Sequence, residues 1–318
     1  MNPILSVVVC TYNRSELLMQ TIQGLLHQTI SPSLFEIVVI DDGSTDDTQV
    51  TIGKLQKKVR IPVIKYYKKK TNVGLANSRN VIVKKLKSLY VAFIDDDAKA
   101  DKNWLKNALY CFDHVKPTPQ AVSGPVVPYY QTKKPAWFND NYEADIKGDT
   151  PRFLKGGEAF SGPNMIFKKD AIHIFGGFDE SIDMKGDIIA VGEETKLFER
   201  MWENGPRPPS LYYTPGAIVY HLIHPYKMTI HYRLKRLFAS GQSYFARNTA
   251  TPFSKKVTLI LKVLLYTIIS FLLCPLTLFR YPFIQRWIVE RVGPLFFSAG
   301  FFYSILGIPI VMKHRGRT

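Results

Sequence analysis

Three consecutive aspartates, Asp95, Asp96 and Asp97, directly follow the apolar run at residues 90–94. A short, apolar, β-rich run predicts a buried strand, and open α/β sheets bind their ligands beyond the carboxyl ends of such strands. Adjacent carboxylates repel one another, and a hard dication bound by one or two of them together with substrate phosphates relieves that repulsion. The triplet therefore predicts a site for Mg²⁺ or Mn²⁺, and a solvated acidic turn is the alternative.

The elements that must position the triplet repeat along the first hundred residues. Apolar, β-branched runs alternate with segments of helical periodicity, and each run ends in a polar loop. The four runs are residues 4–10, 35–40, 63–67 and 90–94. This alternation predicts an α/β fold with a mostly parallel sheet, helices on both faces and the polar loops on one edge. Neither the dinucleotide-binding G-x-G-x-x-G after the first strand nor the P-loop pattern occurs.

The chain has 318 residues, and its formal net charge is +16. Much of the positive excess lies between Lys54 and Lys87, which predicts a basic region suited to nucleic acid, anionic lipid or a phosphate-bearing substrate. No recognised nucleic-acid-binding motif accompanies it, so nucleic acid is not a predicted partner. The three cysteines lack metal-ligand spacing, which indicates a reducing compartment, and the amino-terminal residues show no cleaved signal.

Six ordered motifs carry a resemblance to a known family. They are residues 9–14 (VCTYNR), 40–44 (IDDGS), 72–80 (NVGLANSRN), 95–97 (DDD), 161–164 (SGPN) and 192–194 (GEE). Each is weak alone, but in this order and spacing they resemble the family 2 glycosyltransferases of the GT-A fold. The resemblance implies an inverting sugar transfer from a nucleotide-sugar donor, most readily a UDP-sugar, in a Rossmann-like domain.

The resemblance also implies where the donor binds. In such enzymes the first loop and the Asp-Asp-Gly-Ser loop hold the nucleoside. Base and ribose contacts are accordingly expected from Thr11, Asn13, Asp41, Asp42 and Arg79. An aspartate can accept a hydrogen bond from a base N–H, although a turn and helix-cap pair is the alternative for Asp41 and Asp42.

The family's Asp-x-Asp pattern falls on Asp95 and Asp97. The resemblance implies that Asp97 binds the metal directly and that Asp95 lies nearer the ribose. The cation, Mg²⁺ or Mn²⁺, would bridge the diphosphate and neutralise the charge on the departing nucleoside diphosphate. His221 follows an apolar run and could add a ligand, as a histidine does in some relatives, although a structural histidine is the alternative.

Glu194 aligns with the family's catalytic base, which is commonly the aspartate of a Glu-Asp pair. Here the pair is Glu193-Glu194, so the reach is one methylene longer. A carboxylate can take the acceptor hydroxyl's proton, whereas two glutamates that merely stabilise a helix start contribute about 0.3–1 kcal/mol each. Ser161, Gly162 and Asn164 are expected to line the donor-sugar pocket.

Composition divides the chain into a catalytic domain at 1–250 and a membrane-associated region at 251–318. Residues 257–279 carry one charge, Lys262, and would form a helix about 34 Å long. Residues 292–312 are uncharged and could span about 31 Å, although glycines and prolines interrupt them. The alternatives are a buried helical pair and a re-entrant anchor lying partly in the interface.

These features predict a membrane-anchored glycosyltransferase that acts on a lipid-linked or growing glycan acceptor in polysaccharide or glycoconjugate biosynthesis. Its catalytic domain is expected on the cytoplasmic side of the cell (inner) membrane, where nucleotide sugars are found. A GT-A-like binding or scaffold protein without catalysis is one alternative, and retention of Asp95, Asp97 and Glu194 argues against it. A basic nucleic-acid-associated membrane protein is the other, and it would bind polyanions with a steep salt dependence.

Overall fold

The computed structural model describes residues 3–182, 188–189, 191–205, 210–248, 253–308 and 310–313. The chain forms two compact units. The first unit comprises Met1–Tyr129, Glu143–Glu180 and Glu193–Leu222, and the second comprises Tyr130–Tyr142, Ser181–Gly192 and Ile223–Thr318. The sequence-based division at residue 250 follows a change in composition, whereas these units follow packing.

The first unit holds all the strands that the structure describes. They are β1 (Leu5–Thr11), β2 (Phe35–Asp41), β3 (Val63–Lys68), β4 (Tyr90–Asp95), β5 (Ala98–Ala100), β6 (Ala121–Ser123), β7 (Val126–Tyr129), β8 (Arg152–Phe153), β9 (Met165–Lys168), β10 (Leu211–Tyr213) and β11 (Val219–Leu222). Its helices are α1 (Ser15–Leu26), α2 (Thr48–Lys58), α3 (Leu75–Val83), α4 (Trp104–His114), α5 (Lys169–Ile174) and α6 (Glu193–Asn204).

The larger sheet has eight strands in the order β3-β2-β1-β4-β9-β6-β10-β8. Strands β3, β2, β1 and β4 are parallel, which confirms the predicted α/β fold with a mostly parallel sheet. Strand β9 runs antiparallel between β4 and β6. Its sequence does not predict this direction, because a buried strand is apolar whether it pairs in parallel or antiparallel orientation. A smaller sheet has the order β5-β11-β7.

The central strands are buried on both faces. Val7 and Val9 of β1 pack on one face with Leu18 of α1, whereas Val8 packs on the other face with Ile82 of α3. Successive side chains of a strand point to opposite faces, so a continuous run of β-branched residues fits a sheet covered by helices on both sides. This packing fixes the strand ends from which the polar loops emerge.

The second unit is helical, with α7 (Ile230–Arg247), α8 (Phe253–Leu276), α9 (Ile284–Trp287) and α10 (Gly293–Ile305). Helices α7 and α10 meet through two glycines: a Cβ on Gly300 would lie 2.0 Å from the carbonyl oxygen of Phe238, and one on Gly241 would lie 1.9 Å from that of Phe297. No larger residue fits either position without separating the helices.

Only α8, among the helices that the structure describes, is long and apolar enough to cross a membrane. Its candidate segment Lys256–Leu276 has 21 residues and a mean hydropathy of 2.4, and 6% of its most apolar window is buried. The second predicted segment, residues 292–312, is not one helix. Helix α10 has 13 residues and is followed by Gly307 at a φ of +68°, so it is only about 20 Å long.

Candidate active site

The register of the parallel strands brings three polar loops to one edge of the larger sheet. Thr11 at the end of β1 lies opposite Asp41 at the end of β2, and Cys10 lies opposite Asp95 at the end of β4. The carboxyl ends of parallel strands meet at the same edge, where ligands of open α/β sheets bind. The structure therefore brings the first loop, the Asp-Asp-Gly-Ser loop and the aspartate triplet together.

His221 joins Asp95 and Asp97 in a cluster that could hold a cation. Strand β11 pairs with β5 so that His221 lies opposite Ala98, and the Leu222 N–H donates to the Asp97 carbonyl oxygen over 3.0 Å. The His221 Nε2 lies 3.2 Å from Asp97 Oδ1 and 3.9 Å from Asp95 Oδ2. All three ligand atoms lie within 4.8 Å of one another.

The chemistry of this donor set suits Mg²⁺ or Mn²⁺. Two carboxylates and one imidazole leave further coordination positions for phosphate oxygens and water. Burial raises the pKa of Asp95, and the neighbouring charges of Asp97 and Asp96 raise it further, while Arg79 and His221 oppose the shift. The carboxylates are thus crowded in a way that a dication would relieve.

Asp96, the middle member of the triplet, points elsewhere. Its Oδ2 accepts a hydrogen bond from the Thr11 hydroxyl over 2.8 Å, and its Oδ1 accepts one from Arg14 Nη1 over 2.8 Å. The same Arg14 nitrogen lies 3.0 Å from Asp97 Oδ2. Arg14 therefore ties the first loop to the triplet, and the Thr11 side chain takes part in this link.

Of the predicted nucleoside-binding residues in these loops, Asp41 is buried and Asn13 is exposed, and both hydrogen-bond to the Asp-Asp-Gly-Ser loop. The Asp41 Oδ1 accepts a hydrogen bond from the Ser44 N–H over 2.6 Å, and its Oδ2 accepts one from the Tyr66 hydroxyl. Asn13 has a φ of +53°, and its side-chain oxygen accepts from the Thr45 N–H over 2.8 Å. Asn13 thus links the first loop to the Asp-Asp-Gly-Ser loop.

Asp42 anchors a different loop. Its carboxylate accepts hydrogen bonds from the backbone N–H groups of Val73 and Gly74, the latter over 2.8 Å, and it lies 2.6 Å from Lys69 Nζ. These contacts hold the loop that precedes α3. They join Asp42 to a loop distant in the chain, whereas the local turn contact of this pair is the bond from the Ser44 N–H to Asp41.

Arg79 of α3 lies between the aspartate triplet and the glutamate pair. Its side chain is 2% exposed, its Nη1 donates to Glu193 Oε1 over 3.0 Å, and its Nη2 lies 3.4 Å from Asp95 Oδ1. The guanidinium also stacks on the rings of Phe93 and Phe178. Burial opposes its charge, but Glu193 and Asp95 outweigh that effect and raise the pKa of Arg79.

The two glutamates at the start of α6 have different surroundings. Glu193 is 5% exposed and engages Arg79. Burial, the charge of Glu194 and a hydrogen bond with it raise the pKa of Glu193 well above its usual range, against the opposing charge of Arg79. Among the residues that the structure describes, none hydrogen-bonds Glu194 Oε2, although that oxygen is buried. Such an oxygen is suited to accept a proton or a donor group from a ligand.

The Ser161-Gly162-Pro163-Asn164 segment contributes to the site through its glycine. A Cβ on Gly162 would lie 3.4 Å from Arg79 Nη2 and 3.7 Å from Glu194 Oε1. The Asn164 side chain is instead enclosed by the protein: its Oδ1 accepts from the indole of Trp104, and its Nδ2 donates to two backbone carbonyl oxygens. The structure thus brings Gly162, and not the Asn164 side chain, to Arg79 and Glu194. The Ser161 carbonyl oxygen accepts from the Asn164 N–H over 3.0 Å.

Comparison with known proteins decides the family. The profile of glycosyl transferase family 2 matches residues 6–175, more than half of the chain. The chain belongs to this family. The match spans the first loop, the Asp-Asp-Gly-Ser loop, the triplet and the Ser161–Asn164 segment, so the predicted resemblance is confirmed at the level of a glycosyltransferase.

Relatives of the glycosyltransferase support the same assignment. The chain is 29% identical over 247 residues to the glucosyl-dolichyl phosphate glucuronosyltransferase of Haloferax volcanii, and the alignment covers 75% of each protein. It is 25% identical over 245 residues to the succinoglycan biosynthesis protein ExoM of Rhizobium meliloti, covering 76% of this chain and 74% of that protein.

A solved structure shares the fold of the glycosyltransferase. The mannosyltransferase PcManGT from Pyrobaculum calidifontis, in complex with GDP-Man and Mn²⁺, superposes with a TM-score of 0.62 at 15% sequence identity. The superposition covers 96% of this chain and 88% of that one. At this identity the likeness bears on the fold alone, and it confirms the GT-A architecture.

Three residues of the glycosyltransferase site were not found by sequence reasoning. Arg14, Tyr66 and Lys69 bind the carboxylates of Asp97, Asp41 and Asp42 respectively. Arg14 belongs to the motif at residues 9–14. A cation three residues after the end of β1 could have indicated a contact with the aspartates. Tyr66 and Lys69 lie in or next to β3, and only the parallel pairing of β2 with β3 brings them to the acids.

Proposed function

We propose that the glycosyltransferase moves a sugar from a nucleotide-sugar donor, a UDP-sugar in the first instance, to a lipid-linked or growing glycan acceptor with inversion. The observation that carries the proposal is the chain of contacts in which Arg79 joins Glu193 to Asp95. It links the glutamate pair at the start of α6, of which Glu194 is the candidate proton acceptor, to a candidate cation cluster at the end of β4. The complex of PcManGT with GDP-Man and Mn²⁺ supports a nucleotide-sugar donor and a divalent metal, whereas the choice of a UDP-sugar rests on the family resemblance alone.

In this proposal the cation, Mg²⁺ or Mn²⁺, is held by Asp97, Asp95 and His221. When bound it supplies Lewis-acid neutralisation of the donor diphosphate. The nucleoside lies at the loops of Thr11, Asn13 and Asp41, which the register of β1 and β2 holds side by side. We propose that Ser161 contributes to donor binding directly. Arg79, Asp42 and Asn164 contribute through the groups they hold: Asp95, the loop before α3 and the segment that carries Gly162. Gly162 lies beside Arg79 and Glu194, and we propose that it lines the donor-sugar pocket.

We propose Glu194 as the general base. Its Oε2 takes the proton of the acceptor hydroxyl while the acceptor oxygen bonds to the anomeric carbon, and the bond from that carbon to the diphosphate breaks on the opposite face. Glu193 Oε1 is held by Arg79, and burial together with the charge of Glu194 raises the pKa of Glu193. Glu193 is thus engaged with Arg79, whereas Glu194 Oε2 has no hydrogen-bond partner among the described residues and can face the acceptor.

A ligand panel tests the proposed donor and metal. We expect a UDP-sugar to raise the melting temperature of the purified full-length chain in detergent when Mn²⁺ or Mg²⁺ is present, and EDTA to remove the effect. A ligand at a hundred times its dissociation constant stabilises by about 2.7 kcal/mol, which differential scanning fluorimetry detects readily. GDP-sugars serve as the comparison. If no nucleotide sugar acts with either metal, the protein is better explained as a scaffold without catalysis.

We also propose that α8 attaches the enzyme to the cell membrane, with the first unit on the cytoplasmic side. The length and apolar surface of Lys256–Leu276 support attachment. In isolated membranes we expect the full-length chain to resist alkaline carbonate, to dissolve in detergent and to be cleaved by protease added to the cytoplasmic face. Release by carbonate would instead indicate peripheral binding, for which the basic region at Lys54–Lys87 is the candidate.

A further inference from the structure

The second unit contains a pocket of about 520 Å³ among its helices. The lining residues are mostly apolar or aromatic, and three of them carry charge: Arg233, Lys262 and Glu290. These three charged residues come from α7, α8 and the segment that leads into α10, respectively. A largely apolar cavity with a few polar groups at fixed positions is the usual form of a small-molecule site.

Lys262 is a charged residue of this pocket that forms no ion pair with any residue that the structure describes. It is the one charged residue of the apolar run 257–279 and belongs to the segment that could cross a membrane. Its side chain makes no ion pair among the residues that the structure describes, yet it lines the pocket together with Val263 and Tyr266 of the same helix. A lysine is costly in an apolar membrane segment, and such residues usually serve a ligand or a partner charge.

The carboxylate in the pocket is already neutralised. Glu290 Oε1 accepts hydrogen bonds from the Tyr142 hydroxyl over 2.8 Å and from Arg286 Nε over 2.9 Å. Burial works against its charge, but these two bonds, the charge of Arg286 and a hydrogen bond with Tyr281 together lower the pKa of Glu290. Glu290 is therefore engaged with Arg286 rather than with Lys262.

Arg233 supplies a second cation that is fixed in place. It is 6% exposed, its Nη2 donates to the Tyr142 carbonyl oxygen over 3.1 Å, and its guanidinium stacks 4.9 Å from the centre of the Tyr142 ring. Lys262 and Arg233 thus give one pocket two cationic groups, one of them held rigidly. Phosphate is the ligand chemistry that such a pair recognises best.

The surface of α8 beyond the pocket is apolar. Leu265, Ile269 and Leu272 are exposed by 58%, 46% and 60%. A ligand with its charged end at Lys262 could therefore lay a hydrocarbon chain along this helix, against side chains as apolar as the chain itself. The pocket and the helix together favour an amphiphile with an anionic head.

We propose that this pocket binds the phosphate or diphosphate head of a long-chain lipid phosphate, whose chain lies along α8. The identification of that lipid as the carrier of the acceptor rests on the proposed function, whereas binding itself does not. The relative from Haloferax volcanii, whose name specifies a dolichyl phosphate, is consistent with this chemistry.

Binding of farnesyl phosphate to the full-length chain in neutral detergent tests the proposal, and farnesol and inorganic phosphate serve as reference probes. Isothermal titration calorimetry should show tighter binding of farnesyl phosphate than of either probe. Lys262→Gln should weaken it about tenfold or more, the value of one charge-assisted contact. Lys262→Arg should keep most of the affinity. Lys256→Gln, on the same helix but outside the lining, should bind like the parent.

Three results would overturn the proposal: equal affinity in Lys262→Gln and the parent, an equal loss in Lys256→Gln, or phosphate binding as tightly as farnesyl phosphate. Parent protein that binds phosphatidylglycerol micelles as tightly as farnesyl phosphate would also contradict it, because a bulk phospholipid would then occupy the pocket. No readout uses sugar transfer. Binding that persists in a chain without transferase activity would leave this proposal intact and reject only the proposed function.

Discussion

Asp97→Asn should abolish metal-dependent donor binding while the fold persists. The Asp97 side chain is 3% exposed, and its two oxygens face His221 Nε2 and Arg14 Nη1. Asparagine keeps the size and one acceptor oxygen but removes the charge that a hard dication needs. Changes to residues outside the ligand shell cost about 10–100-fold in metal affinity, so loss of a direct ligand should cost about 100-fold or more.

Calorimetric titration of the nucleoside diphosphate, with Mn²⁺ and with EDTA, checks this expectation. The variant with Mn²⁺ should bind as weakly as the parent in EDTA, and its melting temperature should stay near that of the parent. Asp96→Asn is the comparison for the metal response, because Asp96 belongs to the same triplet but lies outside the cluster and binds Thr11 and Arg14. Its affinity for the nucleoside diphosphate should still depend on Mn²⁺. Equal affinity and equal metal response in Asp97→Asn and the parent would show that the triplet serves no cation.

The local sequence pattern was enough to predict that the polar loops and the aspartate triplet lie at one edge of the sheet. The runs ending at Thr11, Asp41 and Asp95 are β-rich and alternate with helices, so parallel pairing places their ends together. The motifs of the resemblance then assigned the family. Both conclusions depend only on short stretches of sequence and on the order in which strands, helices and motifs follow one another along the chain.

Long-range pairing was beyond sequence reasoning. His221 reaches Asp97 because β11 runs antiparallel to β5, and a lone histidine after an apolar run does not reveal that register. The enclosure of Asn164 by Trp104 and by the carbonyl oxygens of Pro125 and Ala217 also depends on residues distant in the chain. Propensity and periodicity describe neighbours along the chain, whereas these contacts are set by how the strands are ordered.

The carboxyl-terminal third shows the same division. The apolar composition of α8 predicted a long helix, and the structure contains one. The run at 292–312 has similar composition, yet it forms the shorter α10, which packs on α7 through Gly241 and Gly300. Glycines that break a helical pattern in the sequence here serve close packing, and their partner helix cannot be identified from the sequence.

Glu194→Gln should leave donor binding intact and reduce turnover by about 10²–10⁴-fold, the usual range for loss of a general base. Glutamine has the size of glutamate and retains a hydrogen-bonding oxygen, but it cannot take the acceptor's proton. The Glu194 Oε2 has no hydrogen-bond partner among the described residues, so the substitution breaks no hydrogen bond to them at that atom.

Glu193→Gln is the matched variant, and it should reduce turnover less. Glu193 faces Arg79 and not an open position, and a glutamine oxygen can still accept from the guanidinium. Successive residues on a helix point about 100° apart, so only one of the two carboxylates can face the acceptor hydroxyl squarely. Because Glu193 is buried in an ion pair, its variant requires a melting temperature close to that of the parent before rates are compared.

Single-turnover transfer by the full-length parent, Glu193→Gln and Glu194→Gln, at saturating donor and Mn²⁺, tests the central claim most directly. Glu194 is the base if transfer collapses in Glu194→Gln at full donor occupancy while Glu193→Gln keeps most of the parent rate. Full activity in Glu194→Gln with loss in Glu193→Gln would reverse the assignment. Full activity in both would remove the pair from the chemistry and contradict the account.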